Sequence, residues 1–339
     1  MHFKTKFPLI LSLVSVLFYF SSAKAEIKVV ASIKPIHSLV SYIMDGVGSP
    51  DLIVDGYNSP HGFSLKPSHA KMLQEADIVI YVGEGVEEFL EKPLESIASN
   101  AVKFELLGQS GIKKLKFRER NIFGDHDDHD DHGHDKKAKK EDHDDHDDHD
   151  HDKKAKKDDH DDHGHDDHGH GHGEFDPHIW LDPMNAKIIV KKVTNQLSKL
   201  DKENSSTYKS NSKKALKELD QMIKEVKSSV NKDAKVVVFH DAYQYFEKRF
   251  KVNIIGALTV NTDVLPGAEQ LAEIREVIEH EKVTCVLSEP QFNPDIVETI
   301  AKDTNISSGV LDPLGATLDS GKTLYFDLIK NISLSIKNC

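Results

Sequence analysis

The chain has 339 residues, enough for two domains of ordinary size, and a formal net charge of −13. The charge is unevenly distributed, because residues 125–173 carry 8 Lys against 20 acidic residues, whereas residues 1–25 carry a net +3. The rest of the chain is close to neutral, with Lys and Glu spread evenly, which argues against nucleic acid or an anionic membrane as a partner.

The first 25 residues have the pattern of a secretory signal peptide. Lys4 and Lys6 precede an apolar run at 9–20, and Ala23 and Ala25 supply the small residues of a cleavage site, after which we expect the chain to be cut. The run is shorter than the about 20 apolar residues of a membrane-spanning helix, and no cysteine directly follows it for lipid attachment. The sequence therefore predicts export to the Gram-negative periplasm.

Residues 26–200 have the pattern of an α/β lobe, in which short buried strands alternate with amphipathic helices. The strand candidates are apolar runs at 27–31, 52–54 and 78–82. The helix candidates lie at 36–44, 70–75 and 86–97.

A His- and Asp-rich segment, 125–173, interrupts this lobe and holds 14 of the 21 histidines among 19 aspartates. It contains tandem copies, 125–141 and 142–158, whose apolar residues are alanines, so its composition predicts a disordered, solvated loop. An inert acidic linker would need no histidine, and neutral imidazole binds Zn²⁺, so we expect auxiliary, weaker metal binding here. The histidines concerned are His126, His129, His132, His134, His143, His146, His149, His151, His160, His163, His165, His168, His170 and His172.

The region 184–230 is rich in Lys and lacks Gly and Pro, which indicates helix, with a break expected near 205–207. We expect a linker helix at 201–232 that joins two lobes, and an ordinary packed helical hairpin is the alternative. Residues 233–339 predict a second α/β lobe. Its strand candidates are 236–239, 254–257, 283–287 and 308–311, interleaved with helices at 243–250, 268–279 and 294–302.

The two cysteines, Cys285 and Cys339, are both in the second predicted lobe. An exported protein reaches an oxidising compartment, where two cysteines favour a disulfide that ties down the C-terminus. The alternative is one buried thiol and one thiol at a frayed terminus.

Three histidines follow predicted strands or lie in tight turns. His61 comes after the strand at 52–54, His178 follows Asp176-Pro177, and His240 directly follows the strand at 236–239. Ligands of open α/β sheets bind beyond the carboxyl ends of the strands, and three imidazoles with one oxygen suit tetrahedral Zn²⁺. Spacing alone leaves open that each histidine is a hydrogen-bonded structural residue.

Five motifs occur in order along the chain: 59–68 (SPHGFSLKPS), 176–183 (DPHIWLDP), 240–243 (HDAY), 288–292 (SEPQF) and 311–315 (LDPLG). Together they resemble the periplasmic zinc-binding proteins of bacterial zinc-uptake ABC transporters. The resemblance implies two α/β lobes joined by a long rigid helix, with the metal in the cleft between them. It implies His61, His178 and His240 as the zinc ligands, and an inner-membrane ABC permease with its ATPase as the partner of a monomeric binding protein.

The fourth ligand is left open by the resemblance. Some relatives place Glu before the first histidine, where this chain has Pro60, so Asp312 and water are the two candidates. Manganese-binding relatives tend to have a carboxylate at the position of His240, so a histidine there favours zinc. Glu289 is interpreted either as a partner that orients a ligand histidine or as a helix-capping or surface carboxylate.

The remaining histidines, His2, His37, His69 and His280, are not assigned to metal. The sequence has no His-Glu-x-x-His and no Gly-x-Ser-x-Gly motif, which argues against a secreted zinc enzyme. We therefore expect capture of Zn²⁺ without catalysis. A secreted zinc-buffering or adhesive protein and a manganese-binding relative are the alternatives.

Overall fold

The computed structural model describes residues 26–83, 85–123, 174–260, 262 and 264–339. The predicted signal peptide and the His- and Asp-rich segment lie outside these residues. The described chain forms two parallel sheets flanked by helices, which confirms the predicted fold class. No helix in the described ranges is both long enough and apolar enough to cross a membrane.

The first lobe is built on one parallel sheet. Its strands are β1 (Val29–Ile33), β2 (Asp51–Val54), β3 (Ile78–Tyr81) and β4 (Val102–Glu105). They are hydrogen-bonded in the order β2-β1-β3-β4. All five residues of β1 are buried, because helices cover both faces of a parallel sheet and its central strands are then apolar throughout. The sequence analysis does not predict β4, an edge strand with no fully buried residue.

The helices of the first lobe follow its strands closely. They are α1 (Lys34–Met44), α2 (Pro67–Glu75) and α3 (Glu91–Ser96), with a short 3-10 helix at Glu88–Leu90. Pro35 in α1 and Pro67 in α2 lie in the first turn, where the missing N–H costs nothing. The predicted helix at 86–97 is thus a 3-10 turn followed by a short α-helix.

Two long helices, α4 (Pro183–Leu200) and α5 (Ser205–Ser229), lie along the chain between the strands of the first sheet and those of the second. Asp182 caps α4 by accepting from the backbone N–H of Met184. The helices separate at 201–204 rather than at the predicted 205–207, because the Asp201 carboxylate accepts from Asn204 and Tyr208 and stabilises the turn there. Helix α5 packs against α4 and α1. The domain boundaries around 201–232 stay a prediction.

The second lobe repeats the strand arrangement of the first. Its strands are β5 (Lys235–His240), β6 (Asn253–Thr259), β7 (Cys285–Ser288) and β8 (Ser307–Val310), and its helices are α6 (Gln244–Phe250), α7 (Ala268–Glu281), α8 (Asp295–Thr304) and α9 (Leu324–Lys337). The strand order is β6-β5-β7-β8, which corresponds one to one to the order in the first sheet. In β5, Val236 and Val238 face one apolar cluster while Val237 and Phe239 face another, as the two-residue period of a strand requires.

Three features join the lobes. Helix α9, which the sequence analysis does not predict, packs on α1 and α5, and the disulfide between Cys339 and Cys285 ties its end to β7. This bridge confirms the predicted pairing. Residues 121–123 run along β6, where Ile122 pairs with Gly256. A side chain at position 256 would meet the Asn121 carbonyl oxygen at 2.6 Å, so only glycine permits this approach.

Candidate metal site

Three histidines from separate segments converge where the carboxyl ends of the two sheets face each other. His61 lies in the turn between β2 and α2, His178 precedes a 3-10 helix at Ile179–Leu181, and His240 is the last residue of β5. One ring nitrogen from each lies within 4.8 Å of the other two. The structure therefore brings together the three histidines that the sequence singled out.

Hydrogen bonds fix which nitrogen of each ring faces the centre. The Nδ1 of His61 is 3.0 Å from the carbonyl oxygen of Gly85, that of His178 is 2.8 Å from the Asp176 carboxylate, and that of His240 is 2.6 Å from the Glu289 carboxylate. Carbonyl and carboxylate oxygens accept, so each Nδ1 carries the proton and donates it. Each Nε2 then presents its lone pair as a metal ligand.

The spacing of the nitrogens suits zinc. The Nε2 atoms of His178 and His240 are 3.4 Å apart. With both Nδ1 atoms protonated, these are two lone pairs that face each other, an arrangement that only a proton or a cation between them makes favourable. A tetrahedral zinc with Zn–N bonds of about 2.0–2.1 Å has N···N edges of about 3.3–3.4 Å. The pair is therefore placed as two corners of such a tetrahedron.

Burial and charge set the two deeper histidines apart. Burial, together with the nearby charge of His240, holds the pKa of His178 well below its usual range, so this ring stays neutral. Burial also acts to lower the pKa of His240, but the charge and hydrogen bond of Glu289 outweigh it and raise that pKa. Burial raises the pKa of the Asp176 carboxyl to about 7. Of these two rings, His240 is thus the one that takes up a proton first.

Asp312 has a different task from the three histidines. Its carboxylate accepts from the backbone N–H groups of Leu314, Gly315 and Ala316 and from the Gln291 side chain, at 2.6 to 3.2 Å. Within the described ranges, it does not belong to the group of side chains whose ligand atoms converge. Asp312 therefore shapes the turn that forms one wall of the site.

Apolar side chains surround the histidines. The walls include Pro60, Trp180, Phe292, Pro313 and Leu314. The indole N–H of Trp180 donates to the Pro313 carbonyl at 2.8 Å, which attaches the His178 segment to the wall of the second lobe. An apolar wall lowers the local dielectric and strengthens the attraction between a cation and the carboxylates behind its ligands.

The other histidines of the described residues, His37, His69 and His280, lie outside this site. The Nε2 of His37 is 3.0 Å from the Pro50 carbonyl, His69 accepts from the Lys66 backbone N–H at the start of α2, and His280 is exposed on α7. The sequence analysis missed Asp176 as the partner of His178, although its position two residues before the histidine was a usable signal. The sequence contains no signal for Gly85, because Gly85 accepts from His61 through its backbone carbonyl.

Two parallel-sheet lobes whose facing edges supply a three-histidine site define a metal-binding member of the two-lobed solute-binding proteins. The family model "ZnuA: Zinc-uptake complex component A periplasmic" matches residues 29–339, and the chain belongs to this family.

Individual relatives agree with this assignment. The chain is 43% identical over 313 residues to the high-affinity zinc uptake system protein ZnuA of Brucella abortus (strain 2308), with 92% of this chain and 91% of the relative covered. Its identity to the protein of the same name from Yersinia pestis is 32% over 318 residues, with 93% and 92% covered. A crystal structure of ZnuA has the same fold, with a TM-score of 0.70 at 23% identity over 93% of this chain and 99% of that one.

Proposed function

We propose that this chain is a periplasmic protein that captures Zn²⁺ between its two lobes and delivers it to an inner-membrane ABC permease driven by its ATPase. The observation that carries the proposal is the 3.4 Å separation of the His178 and His240 Nε2 atoms, each on a ring whose Nδ1 is bonded to a carboxylate. The names of the relatives, high-affinity zinc uptake system proteins, support the same role. Family membership also favours binding over catalysis.

In this proposal His61, His178 and His240 bind the ion, and a water molecule is the fourth ligand. Asp312 is the less suitable candidate, because its oxygens already accept backbone N–H groups. A set of three imidazoles and one water favours zinc over manganese, which prefers oxygen ligands. The ligands are oriented before the metal arrives, so binding costs little conformational entropy and is tight.

Release follows from the origin of the ligands in both lobes. His61 belongs to the first lobe and His240 to the second, so docking on the permease that moves one lobe relative to the other would break the ligand set. Helix α5, within the predicted linker 201–232, would hold the lobes at a fixed distance until then. The protein would act as a monomer, without nucleic acid as a partner, after its signal peptide has been removed. The segment 125–173 would bind further zinc ions more weakly than the cleft.

The zinc site is tested by three single variants, His61→Ala, His178→Ala and His240→Ala. Each should lower the affinity of the tightest site by more than the about 10–100-fold that loss of an outer hydrogen-bond partner costs. The affinity is measured by competition with a chromophoric chelator at less than one equivalent of zinc. His280→Ala, at an exposed position on α7, is the matched control and should bind as the native protein does. Native affinity in any of the three variants would remove that residue from the site.

The transport role is tested separately, by growth of a strain that lacks its own zinc-binding protein. The native chain should restore growth on zinc-poor medium, and the His240→Ala variant should not. A zinc-buffering or adhesive protein would bind zinc without restoring growth. A manganese-binding relative would instead restore growth on manganese-poor medium and would be saturated by manganese at equal concentrations of the two metals.

A further inference from the structure

A buried carboxylate lies in the first lobe, outside the group of ligands. Glu87 follows β3, and only 3% of its surface is exposed. One of its oxygens accepts from the hydroxyl of Ser32 in β1 at 2.5 Å and from the backbone N–H of Val82 at 3.1 Å. The other accepts from the backbone N–H of Gly83 at 3.0 Å. The side chain thus ties β1 to the beginning of the turn that follows β3.

This turn carries the hydrogen-bond partner of a ligand histidine. Gly85 lies between Gly83 and Glu87, and its carbonyl oxygen accepts from the Nδ1 of His61 at 3.0 Å. Gly85 has φ of +91°, a conformation that favours glycine, and a side chain there would contact Pro177, the residue before His178. The position of the turn therefore decides where the His61 ring is held, and Gly85 also lies beside the segment of a second ligand.

The same pair of strands bears the corresponding bond in the other lobe. Because the two sheets have the same strand order, β1 and β3 correspond to β5 and β7. The Ser32–Glu87 bond links β1 to the chain after β3, and the His240–Glu289 bond links β5 to the chain after β7. Each lobe thus places a buried glutamate where the strand connections diverge, the place at which open α/β sheets bind their ligands.

We propose that Glu87 is a positioning residue for His61: it holds Val82, Gly83 and the chain from Gly85 to Glu87 so that the Gly85 carbonyl fixes the ring with Nε2 towards the metal. Glu289 orients His240 by direct contact, whereas Glu87 orients His61 indirectly, through the backbone carbonyl of Gly85. The inference rests on the proposed function, in which His61 is a zinc ligand.

A carboxylate is needed here because three donors require acceptors on two oxygens. In a Glu87→Gln variant one oxygen is replaced by an NH₂ group, which cannot accept from a backbone N–H. Either Val82 or Gly83 then has a buried N–H without an acceptor, and the turn must shift to reach one. The change in side-chain volume is negligible, so the effect reports hydrogen bonding rather than packing.

The test uses the full-length mature chain and measures the affinity of its tightest site by chelator competition below one equivalent of zinc. Glu87→Gln should weaken this site about 10-fold, in the range for outer partners of ligands. Glu91→Gln, the same substitution at an exposed position of α3, should have no effect. Leu219→Ala, which creates a cavity in the buried face of α5, should lower the unfolding midpoint without changing zinc affinity.

A double-mutant cycle separates positioning from general damage. In a His61→Ala background, Glu87→Gln should cause no further loss of affinity, because the ligand it positions is gone. The Co²⁺-substituted single variant should also show an altered visible spectrum, which a purely structural role would leave unchanged. Additive losses in the cycle, or native affinity in Glu87→Gln, would overturn the inference while the zinc site stands. Native affinity in His61→Ala would instead refute the proposed ligand.

Discussion

In the second lobe the ligand His240 is held by a charge, whereas in the first lobe the ligand His61 is held by a backbone dipole. Glu289 contacts the His240 ring directly at 2.6 Å, while His61 donates to the neutral carbonyl of Gly85 at 3.0 Å. A carboxylate raises the basicity of an imidazole more than a carbonyl does, so His240 is the stronger ligand of the two. We expect His61 to part from zinc more easily than His240.

The disulfide belongs to the junction between the lobes and not to the metal site. The disulfide Cys285–Cys339 closes a separation of 54 residues and fixes the end of α9, which packs on first-lobe helices. The variant with serine at both positions should lose about 4 kcal/mol of unfolding free energy in the chain-entropy model. Zinc affinity should change little, because neither cysteine contacts a ligand histidine. Urea unfolding and chelator competition on the same samples measure both, and a parallel fall in affinity would show that the bridge supports the cleft.

Removal of the direct carboxylate should have the largest effect on zinc among the outer partners. Glu289→Gln should lower affinity by about 100-fold, at the upper end of the range expected for such partners. Glu298→Gln, on the exposed face of α8, is the control and should be silent. If Glu87→Gln lowers zinc affinity more than Glu289→Gln does, then His61 is held more firmly than His240 and the comparison is reversed.

A fall in pH should protonate His240, the ligand of the second lobe, before it protonates His178. Since the pKa of His240 is raised and that of His178 is lowered, a falling pH protonates His240 while His178 stays neutral. Zinc must then displace the proton of His240, so a plot of affinity against pH should bend downward as the pH falls through the pKa of this ring. Chelator competition between pH 8 and pH 5.5 locates the bend, and histidine NMR of the zinc-free protein assigns the ring. Protonation of His178 before His240 would contradict this order.

A smaller effect is expected at Asp312. Asp312→Asn keeps one accepting oxygen but leaves one or more of the turn's N–H groups, such as that of Ala316, without an acceptor, which should cost about 1 kcal/mol of unfolding free energy. Zinc affinity should fall less than in Glu289→Gln, because water is the proposed fourth ligand. Thermal unfolding and zinc competition give the two numbers. An affinity loss larger than that of Glu289→Gln would assign Asp312 to the metal instead.

Removal of the His- and Asp-rich segment alters more residues than any other change proposed here, and it should change the zinc affinity of the cleft least. Deletion of 125–173 should leave one tight zinc site with native affinity and remove the additional weaker binding. The composition of that segment predicts disorder, and the binding free energy of ions bound by a disordered chain is reduced by the entropy of ordering it. Calorimetric titration measures the stoichiometry. Loss of the tightest site on deletion would mean that the segment, and not the two lobes, provides it.

The sequence by itself determined the alternation of strands and helices and the positions of the three histidines. Buried parallel strands are apolar along their whole length, so β1 and β5 could be recognised locally. An edge strand such as β4 exposes part of each residue and gave no such run. The disulfide could be predicted as well, because the chain has two cysteines and the sequence pattern of an export signal.

Only the tertiary structure decided how each histidine is oriented. The acceptor for His61 is a backbone carbonyl 24 residues away, and the acceptor for His240 is a side chain 49 residues away. A carbonyl belongs to every residue and leaves no trace in the residue type, so no pattern could identify Gly85 or the role of Glu87 behind it. The contact of α9 with the first lobe has the same origin, since which apolar surfaces meet depends on the packing of both lobes rather than on local sequence.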